Sequence, residues 1–232
     1  MLHKKSQVVE EGTEQPLRDL SDRLAQYLPY AELAATPLPL APQMSLMLLD
    51  SSYPQHLLNQ EQIRVVMDYP AYWCFCWASG QVMAKYILQN PTMFAGKRVI
   101  DFGCGSAVAG IAAAMAGAAE VVACDLDADA LAVSRINAEL NGVELEYSGD
   151  FFADDQQYDI ILVADVLYDK ANLPLLALFL QRAKQVLVAD SRVRDFSVDH
   201  YRHIGFERAT TIPDLAESDE FSRVNLYLGE RP

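Results

Sequence analysis

The stretch from residue 98 to residue 125, RVIDFGCGSAVAGIAAAMAGAAEVVACD, decides the fold. A short β-type run, Arg98-Val99-Ile100-Asp101-Phe102, is followed at once by Gly103-Cys104-Gly105. The chain must turn sharply there with its backbone bare, and a ligand can approach such a backbone closely. The segment from about Ala107 to Met115 is mostly Ala, Val and Ile and stops at Gly117, a residue suited to the left-handed position beyond a helix end. A helix this apolar must be covered on most sides. A second apolar run, Val121-Val122-Ala123-Cys124, then ends in Asp125. Strand, glycine turn, helix and acid-tipped strand are the outline of a nucleotide-binding βαβ unit.

Two carboxylates narrow the kind of nucleotide. Asp125 lies 20 residues beyond Gly105, where an acid can accept hydrogen bonds from two ribose hydroxyls. Asp101 stands inside the strand just before the glycines, which a dinucleotide fingerprint does not ask for, and Val108 occupies the place of the third glycine in G-x-G-x-x-G. The combination resembles the acid-x-Gly-x-Gly loop of class I S-adenosylmethionine-dependent methyltransferases. The resemblance implies a cofactor site made by Asp101, Gly103, Gly105, Asp125 and the neighbouring Leu126. Family loops carry a further glycine where this chain has Ala107. That position is expected to begin the helix with a negative φ, so that its methyl group fits but crowds the methionine end of the cofactor.

Length and charge set the outer limits. A chain of 232 residues holds one α/β domain with a large core plus an extension. The formal net charge of -14 and the pI near 4.6 oppose nucleic-acid binding, which rests on Lys and Arg neutralising phosphates. A basic partner or a small neutral one fits better. No apolar run approaches membrane-spanning length, and the N-terminus has no apolar stretch after Lys4 and Lys5, so neither membrane nor export is expected. Cys74, Cys76, Cys104 and Cys124 lack a second pair at metal-ligand spacing and read as small buried hydrophobes in a reducing cytoplasm.

Residues 1–69 read as an N-terminal helical extension. Leu17, Leu20, Leu24, Tyr27 and Leu28 recur at helical spacing until Pro29, the proline-rich 36–42 reads as an extended connector, and a second short helix is predicted over 59–67. The methyltransferase-like domain is expected over 70–232. It opens with PAYWCFCWASGQ at 70–81, after which Ser79 is placed as the N-cap of a helix whose buried stripe is Val82, Met83, Tyr86 and Ile87. The pattern P-x-Y-W-x-x-x-W-x-x-G-Q ahead of the glycine loop resembles the seven-β-strand lysine methyltransferases of the branch that includes the electron transfer flavoprotein β-subunit lysine methyltransferase and its bacterial relatives. In that branch the second Trp sits against the cofactor, which maps to Trp77.

Beyond Asp125, Asp127 caps a helix over about 128–140 and Glu144–Ser148 is a short strand ending in Gly149-Asp150-Phe151. An acid there can accept the adenine amino group while the apolar neighbour lies on the ring, which assigns Asp150 and Phe151 to the cofactor. The apolar run Tyr158–Ala164 is a central strand that delivers Asp165-Val166-Leu167-Tyr168-Asp169 to the edge where parallel sheets bind ligands. This Asp-x-x-Tyr resembles the motif after the fourth strand of the same methyltransferase branch. The resemblance implies that Ala164 borders the cofactor, that Asp165 orients the acceptor nitrogen, and that Tyr168 walls its channel; Asp169 reads as a helix cap.

The remaining expectations are a helix at 174–182, a strand at 185–189, a helix at 196–203 carrying His200 and His203, and a hairpin of 206–212 with 224–228 across an acidic loop at 213–220. Together these make a Rossmann-like seven-stranded, mostly parallel sheet with the last strand antiparallel and helices on both faces. Three functions remain open on this reading: methylation of lysine in a protein, methylation of a small amine of the nicotinamide kind, and cofactor binding without catalysis.

Overall fold

A computed structural model describes residues 11–53, 59–60, 71–153, 155–167, 170–193, 197–214 and 222–232. In chain order the elements are α1 (Glu11–Tyr27), β1 (Leu33–Leu38), β2 (Ala41–Leu49), a short 3-10 turn at Tyr72–Cys74, α2 (Ala78–Gln89) and α3 (Pro91–Phe94). Then follow β3 (Arg98–Phe102), α4 (Val108–Met115), β4 (Glu120–Cys124), α5 (Ala128–Leu140), β5 (Glu146–Ser148) and β6 (Tyr158–Ala164). The chain closes with α6 (Leu175–Arg182), β7 (Ala183–Asp190), β8 (Tyr201–Arg208) and β9 (Arg223–Glu230).

Seven strands pair in the order β5-β4-β3-β6-β7-β9-β8. Every pairing from β5 to β7 is parallel, and β9 runs antiparallel to both of its neighbours. Only the last strand in sequence is therefore reversed, as expected. Parallel strands are buried on both faces, which is why β6 reads YDIILVA rather than alternating. On one face Val99, Ile160, Leu162 and Leu187 meet Val82, Met83 and Ile111 from α2 and α4. On the other, Ile100, Ile161, Val163 and Val186 meet Leu176 and Phe179 of α6. Burying each such side chain contributes about 1.5–3 kcal/mol. No helix among the described residues is long and apolar enough to cross a membrane.

The N-terminal segment departs from the expected extension of helices. Helix α1 ends at Tyr27, close to where Pro29 predicts, but residues 36–42 are no connector: they are the end of β1, a two-residue turn at Pro39-Leu40 and the start of β2. Pro37 is tolerated because β1 pairs with β2 alone and so is an edge strand. Strand β2 alternates its faces: Met44, Leu46 and Leu48 enter the core beside α2, while Met47 and Leu49 join Leu20 and Leu24 of α1 against Ala130, Val133 and Ile136 of α5. The segment is thus packed into the domain. The helix predicted at 59–67 lies almost wholly outside the described residues.

The late helix is also corrected. Tyr201, Arg202 and His203 are strand β8, His200 sits in a turn just before it, and β8 ends at Arg208. Aromatic and β-branched residues favoured the edge of the sheet over a helix, and Gly229 of β9 admits the Tyr201 ring so closely that a Cβ there would lie 2.5 Å from it. Tyr201 also donates its hydroxyl to the Leu176 carbonyl at 2.8 Å. Ile212, expected at the strand's end, instead forms an isolated bridge with Cys76.

Candidate active site

The glycine loop is docked on β4 and clamped by α5. The amides of Gly103 and Cys104 donate to the Cys124 carbonyl at 2.9 and 3.0 Å. Ser134 Oγ donates to the Gly105 carbonyl at 3.1 Å and Asn137 Nδ2 to the Ser106 carbonyl at 3.0 Å. Asp125 closes the loop from the other side: its Oδ2 accepts the Gly105 amide at 2.9 Å and its Oδ1 the Asp127 amide at 3.0 Å. The 20-residue register between Gly105 and Asp125 is thus a direct contact. Burial raises the Asp125 carboxyl above its ordinary pKa, opposed by those amides. Asp127 caps α5 as expected, accepting the Asp129 amide at 2.8 Å.

Alternate residues of the loop are left-handed: φ is 67° at Gly103, 50° at Gly105 and 59° at Ala107. Ala107 is therefore not the first helical residue with negative φ, as expected, but the N-cap of α4 in the conformation that a glycine adopts freely. For an L-residue this costs roughly 1–2 kcal/mol. It is held there because its amide donates to the Cys104 carbonyl at 2.7 Å, its carbonyl accepts the Ile111 amide at 2.9 Å, and its methyl is buried. Asp101 accepts the Gly110 amide at 2.8 Å and so ties β3 to α4; burial pushes its carboxyl up to about 7 against that hydrogen bond.

Around the tip of β4 and β5, Leu126 is 85 % exposed beside Asp125, and Asp150 is exposed with its Oδ1 accepting the Phe152 amide at 2.8 Å. Phe151 does not lie where an adenine could rest on it. It is 4 % exposed, packed edge-on against Phe102 and Phe179, with the Arg182 guanidinium over its ring. The core under β5 claimed it, and the next residue, Phe152, is the exposed aromatic.

Across the sheet, α2 and the end of β6 meet. Trp77 is half-buried, donates its indole N–H to the Tyr72 carbonyl at 3.0 Å, and is the N-cap of α2. Ser79, expected to be that cap, lies inside the helix: its Oγ donates to Asp165 Oδ1 at 2.7 Å and its amide to Oδ2 at 3.3 Å. Ser191 Oγ adds a third contact to Oδ1 at 3.3 Å. Asp165 follows Ala164 at the tip of β6 with φ 52°, a turn that swings its carboxylate towards α2. Burial raises its pKa to about 6, opposed by Ser79 and reinforced by Asp190. Val166 links this corner to the loop, since a Cβ on Gly103 would lie 3.1 Å from its Cγ2. Trp77, Gly103, Gly105, Asp125, Ala164 and Asp165 thus gather at the C-terminal edge of β3, β4 and β6. Tyr168 and Asp169, and the acidic loop from 215 onward, lie outside the described residues.

Ser79, Ser134, Asn137, Ser191 and Asp190 were missed in the sequence. For Asp190 a signal existed, because it ends an apolar strand as Asp125 and Asp165 do. Asn137 is fully buried and spans two segments: its Oδ1 accepts the Met47 amide of β2 at 2.7 Å while its Nδ2 holds Ser106. Asn137→Leu strands both backbone groups, each at about 1–3 kcal/mol. A loss of about 2–4 kcal/mol is expected, read as a fall in melting temperature on the order of 10 °C. A melt within a degree of wild type would show that this bridge contributes nothing.

The residues at this edge suit S-adenosylmethionine: a carboxylate at β4 beside an exposed Leu126, and a loop with bare backbone at Gly105, where the nearest atom among the described residues to an added Cβ is the Trp73 Cα, 4.0 Å away. Sheet order, reversed last strand and acid–glycine loop together define the class I methyltransferase fold. A solved structure agrees: magnesium protoporphyrin IX methyltransferase from Synechocystis with bound SAM superposes with TM-score 0.51 at 15 % identity, over 75 % of this chain and 85 % of that one. Residues 84–192 match the model of the family described as Ribosomal protein L11 methyltransferase (PrmA). The electron transfer flavoprotein beta subunit lysine methyltransferase of Danio rerio is 34 % identical over 160 residues, 65 % of this chain and 62 % of that protein. The ribosomal protein L11 methyltransferase of Shewanella sediminis is 47 % identical over 77 residues, 32 % of this chain and 26 % of that protein. The chain spans less than two thirds of the length of these relatives.

Proposed function

We propose that this chain transfers a methyl group from S-adenosylmethionine to the side-chain nitrogen of lysine in a protein substrate. The observation that carries this is Asp165, a carboxylate at the tip of β6 whose pKa is raised to about 6 and which is held by Ser79 and Ser191. The lysine methyltransferase of Danio rerio to which the chain is similar supports protein as the acceptor and lysine as the residue. The domain 70–232 would hold the chemistry, and the buried thiols Cys74, Cys76, Cys104 and Cys124, unpaired with one another, fit a cytoplasmic protein.

When bound, S-adenosylmethionine supplies an electrophilic methyl group for in-line displacement by a nitrogen lone pair. In this reading Asp125 holds the ribose hydroxyls, Leu126 and Asp150 face the adenine, Trp77 and Ala164 border the cofactor, and the side-chain-free backbone of the glycine loop lies at the amino-acid end. The chain's own chemical task is to present an uncharged, aimed amine. A free lysine is about 3.4 units below its pKa at pH 7, so freeing its lone pair costs about 4.6 kcal/mol. Handing the proton to an ordinary carboxylate spans about 6.5 units, or about 9 kcal/mol; handing it to Asp165 spans about 4.4 units, or about 6 kcal/mol. Desolvation beside Trp77 lowers the cost further. Tyr168 is assigned the channel wall on the strength of the Asp-x-x-Tyr pattern.

Recombinant protein incubated with methyl-labelled S-adenosylmethionine and a cell extract tests the reading. A labelled protein band carrying methyl-lysine is expected; label confined to small molecules indicates a small amine, and no label despite cofactor binding indicates loss of catalysis. Calorimetry should show S-adenosylhomocysteine binding and no NAD binding, because Val108 stands where the pyrophosphate-binding G-x-G-x-x-G has its third glycine. Tight NAD binding would overturn the ligand assignment.

A further inference from the structure

One buried titratable group stands beside the site without a part in the mechanism above. Asp190 ends β7, next to Asp165 at the end of β6: Ala164 pairs with Ala189 in register, and the Asp165 amide donates to the Ala189 carbonyl at 3.2 Å. Asp190 is 0 % exposed. Its Oδ1 accepts the amides of Arg192 and Val193 at 2.8 and 2.6 Å, while its Oδ2 is buried with no hydrogen-bond partner among the described residues. Burying an ionised carboxylate oxygen without a donor costs more than burying the protonated group, so burial favours uptake of a proton. The oxygens of Asp165 take three donors, two on Oδ1 and one on Oδ2, which leaves Oδ2 a lone pair for one more. Two carboxylates at neighbouring strand ends, linked through the intervening Ser191, share one sink for a proton.

We propose that Asp190 is the second carboxylate of the acceptor site, a positioning residue that makes Asp165 and Asp190 a pair able to take up the proton which a primary alkylammonium must shed before methylation. This rests on the methyltransferase reading above. In the step itself an N–H bond of the ammonium breaks, an O–H bond forms on a carboxylate of the pair, and the electron pair stays on nitrogen. After methyl transfer the pair returns its proton to water. Asp165 touches the acceptor; Asp190 acts through Asp165.

The other charged and titratable groups around the pair do not duplicate this role. Arg192, just after β7, lowers Asp190 by its charge without overcoming burial. Tyr227 of β9 is raised by burial and then by Asp190, and Cys76 is raised by burial and then by Asp165, so both stay neutral at pH 7.

The test compares wild type with Asp190→Asn and Ser191→Ala, all as the full chain. An Asn at 190 keeps an acceptor for the Arg192 and Val193 amides, so the fold survives. Carboxyl 13C NMR of aspartate-labelled protein, assigned with Asp165→Asn, follows each member of the pair with n-butylamine as the probe. In wild type the Asp165 midpoint near 6 moves down on adding the amine. In Asp190→Asn it starts lower, because the group that raises it is gone, and the amine moves it down from there. Ser191→Ala shifts it up instead, because a donor to the charged form is lost without any change of charge. In methyl transfer the acid limb of the pH profile follows, down in Asp190→Asn and up in Ser191→Ala. The plateau rate of Asp190→Asn falls about tenfold, at unchanged S-adenosylhomocysteine affinity, as a weaker base predicts. An Asp165 midpoint unmoved in Asp190→Asn, or shifts of the same sign in both variants, overturns the proposal. The NMR arm needs no methyl transfer, so failure of the pair and failure of the methyltransferase reading are separate results.

Discussion

Asp165→Asn is expected to lower methyl-transfer turnover by about 100-fold while leaving the dissociation constant of S-adenosylhomocysteine within about twofold of wild type. The magnitude is that of losing one preorganised electrostatic partner of a reacting group. The structure favours a clean result for three reasons. Asn tolerates the left-handed φ of 52° at this position better than any other uncharged side chain of its size. Its carbonyl oxygen keeps the 2.7 Å hydrogen bond from Ser79 Oγ. Replacing a carboxylate that burial already disfavours removes an unfavourable desolvation term, which offsets the loss of the long 3.3 Å acceptor for the Ser79 amide, so stability should hold. In the proposed function what is lost is the acceptor for the ammonium proton. Turnover by radiolabel transfer and binding by calorimetry decide the matter. Full activity would return Asp165 to an ordinary strand-end acid, and equal losses of rate and affinity would move it to the cofactor shell. Tyr168→Phe should cost less, since only a hydroxyl goes.

What the sequence made legible follows from burial. The unit Arg98–Asp125 and the strand Tyr158–Ala164 were readable because parallel strands covered on both faces must be continuously apolar, and the acids at their ends interrupt that run visibly. The edges were not. Strand β8 is half-exposed along its length, so its pattern YRHIGFER satisfies a helix or a strand alike until β9 is placed beside it. Residues 36–42 carry three prolines, which exclude a central strand but not the edge of a two-stranded hairpin.

Within the site the same division holds. Asp125 and Asp165 announced themselves by position, whereas the contacts that define their states come from far along the chain. Ser79 is 86 residues from Asp165, and Asn137 is 90 from the Met47 amide that it accepts. Residue type at Ser79 fits a helix cap equally well, and only the approach of α2 to the end of β6 distinguishes the two uses. Phe151 and Phe152 were indistinguishable in sequence; Phe179 of α6 decides which one is buried. The conformation of Ala107 escaped because a family glycine pattern records which residue is used and not the φ that requires it.

Asp125→Ala is expected to weaken S-adenosylhomocysteine binding by about 1–3 kcal/mol, roughly 5- to 150-fold in Kd, the scale of lost hydrogen bonds to a charged acceptor. Two causes contribute, and the structure shows how to part them. Asp125 supports the loop, because its oxygens accept the Gly105 and Asp127 amides at 2.9 and 3.0 Å. In the proposed function it also receives the ribose hydroxyls on its remaining lone pairs, since a carboxylate accepts about four hydrogen bonds. Comparing adenosine with 2′,3′-dideoxyadenosine in both proteins forms a cycle that isolates the second cause. If Asp125 binds ribose, wild type prefers adenosine and the variant does not, so the preference vanishes with the carboxylate. If Asp125 serves the loop alone, both ligands weaken equally in the variant and any preference persists. An unchanged dissociation constant for S-adenosylhomocysteine would remove Asp125 from the cofactor site altogether, leaving its contact with Gly105 as a feature of the turn and the ribose without its acceptor.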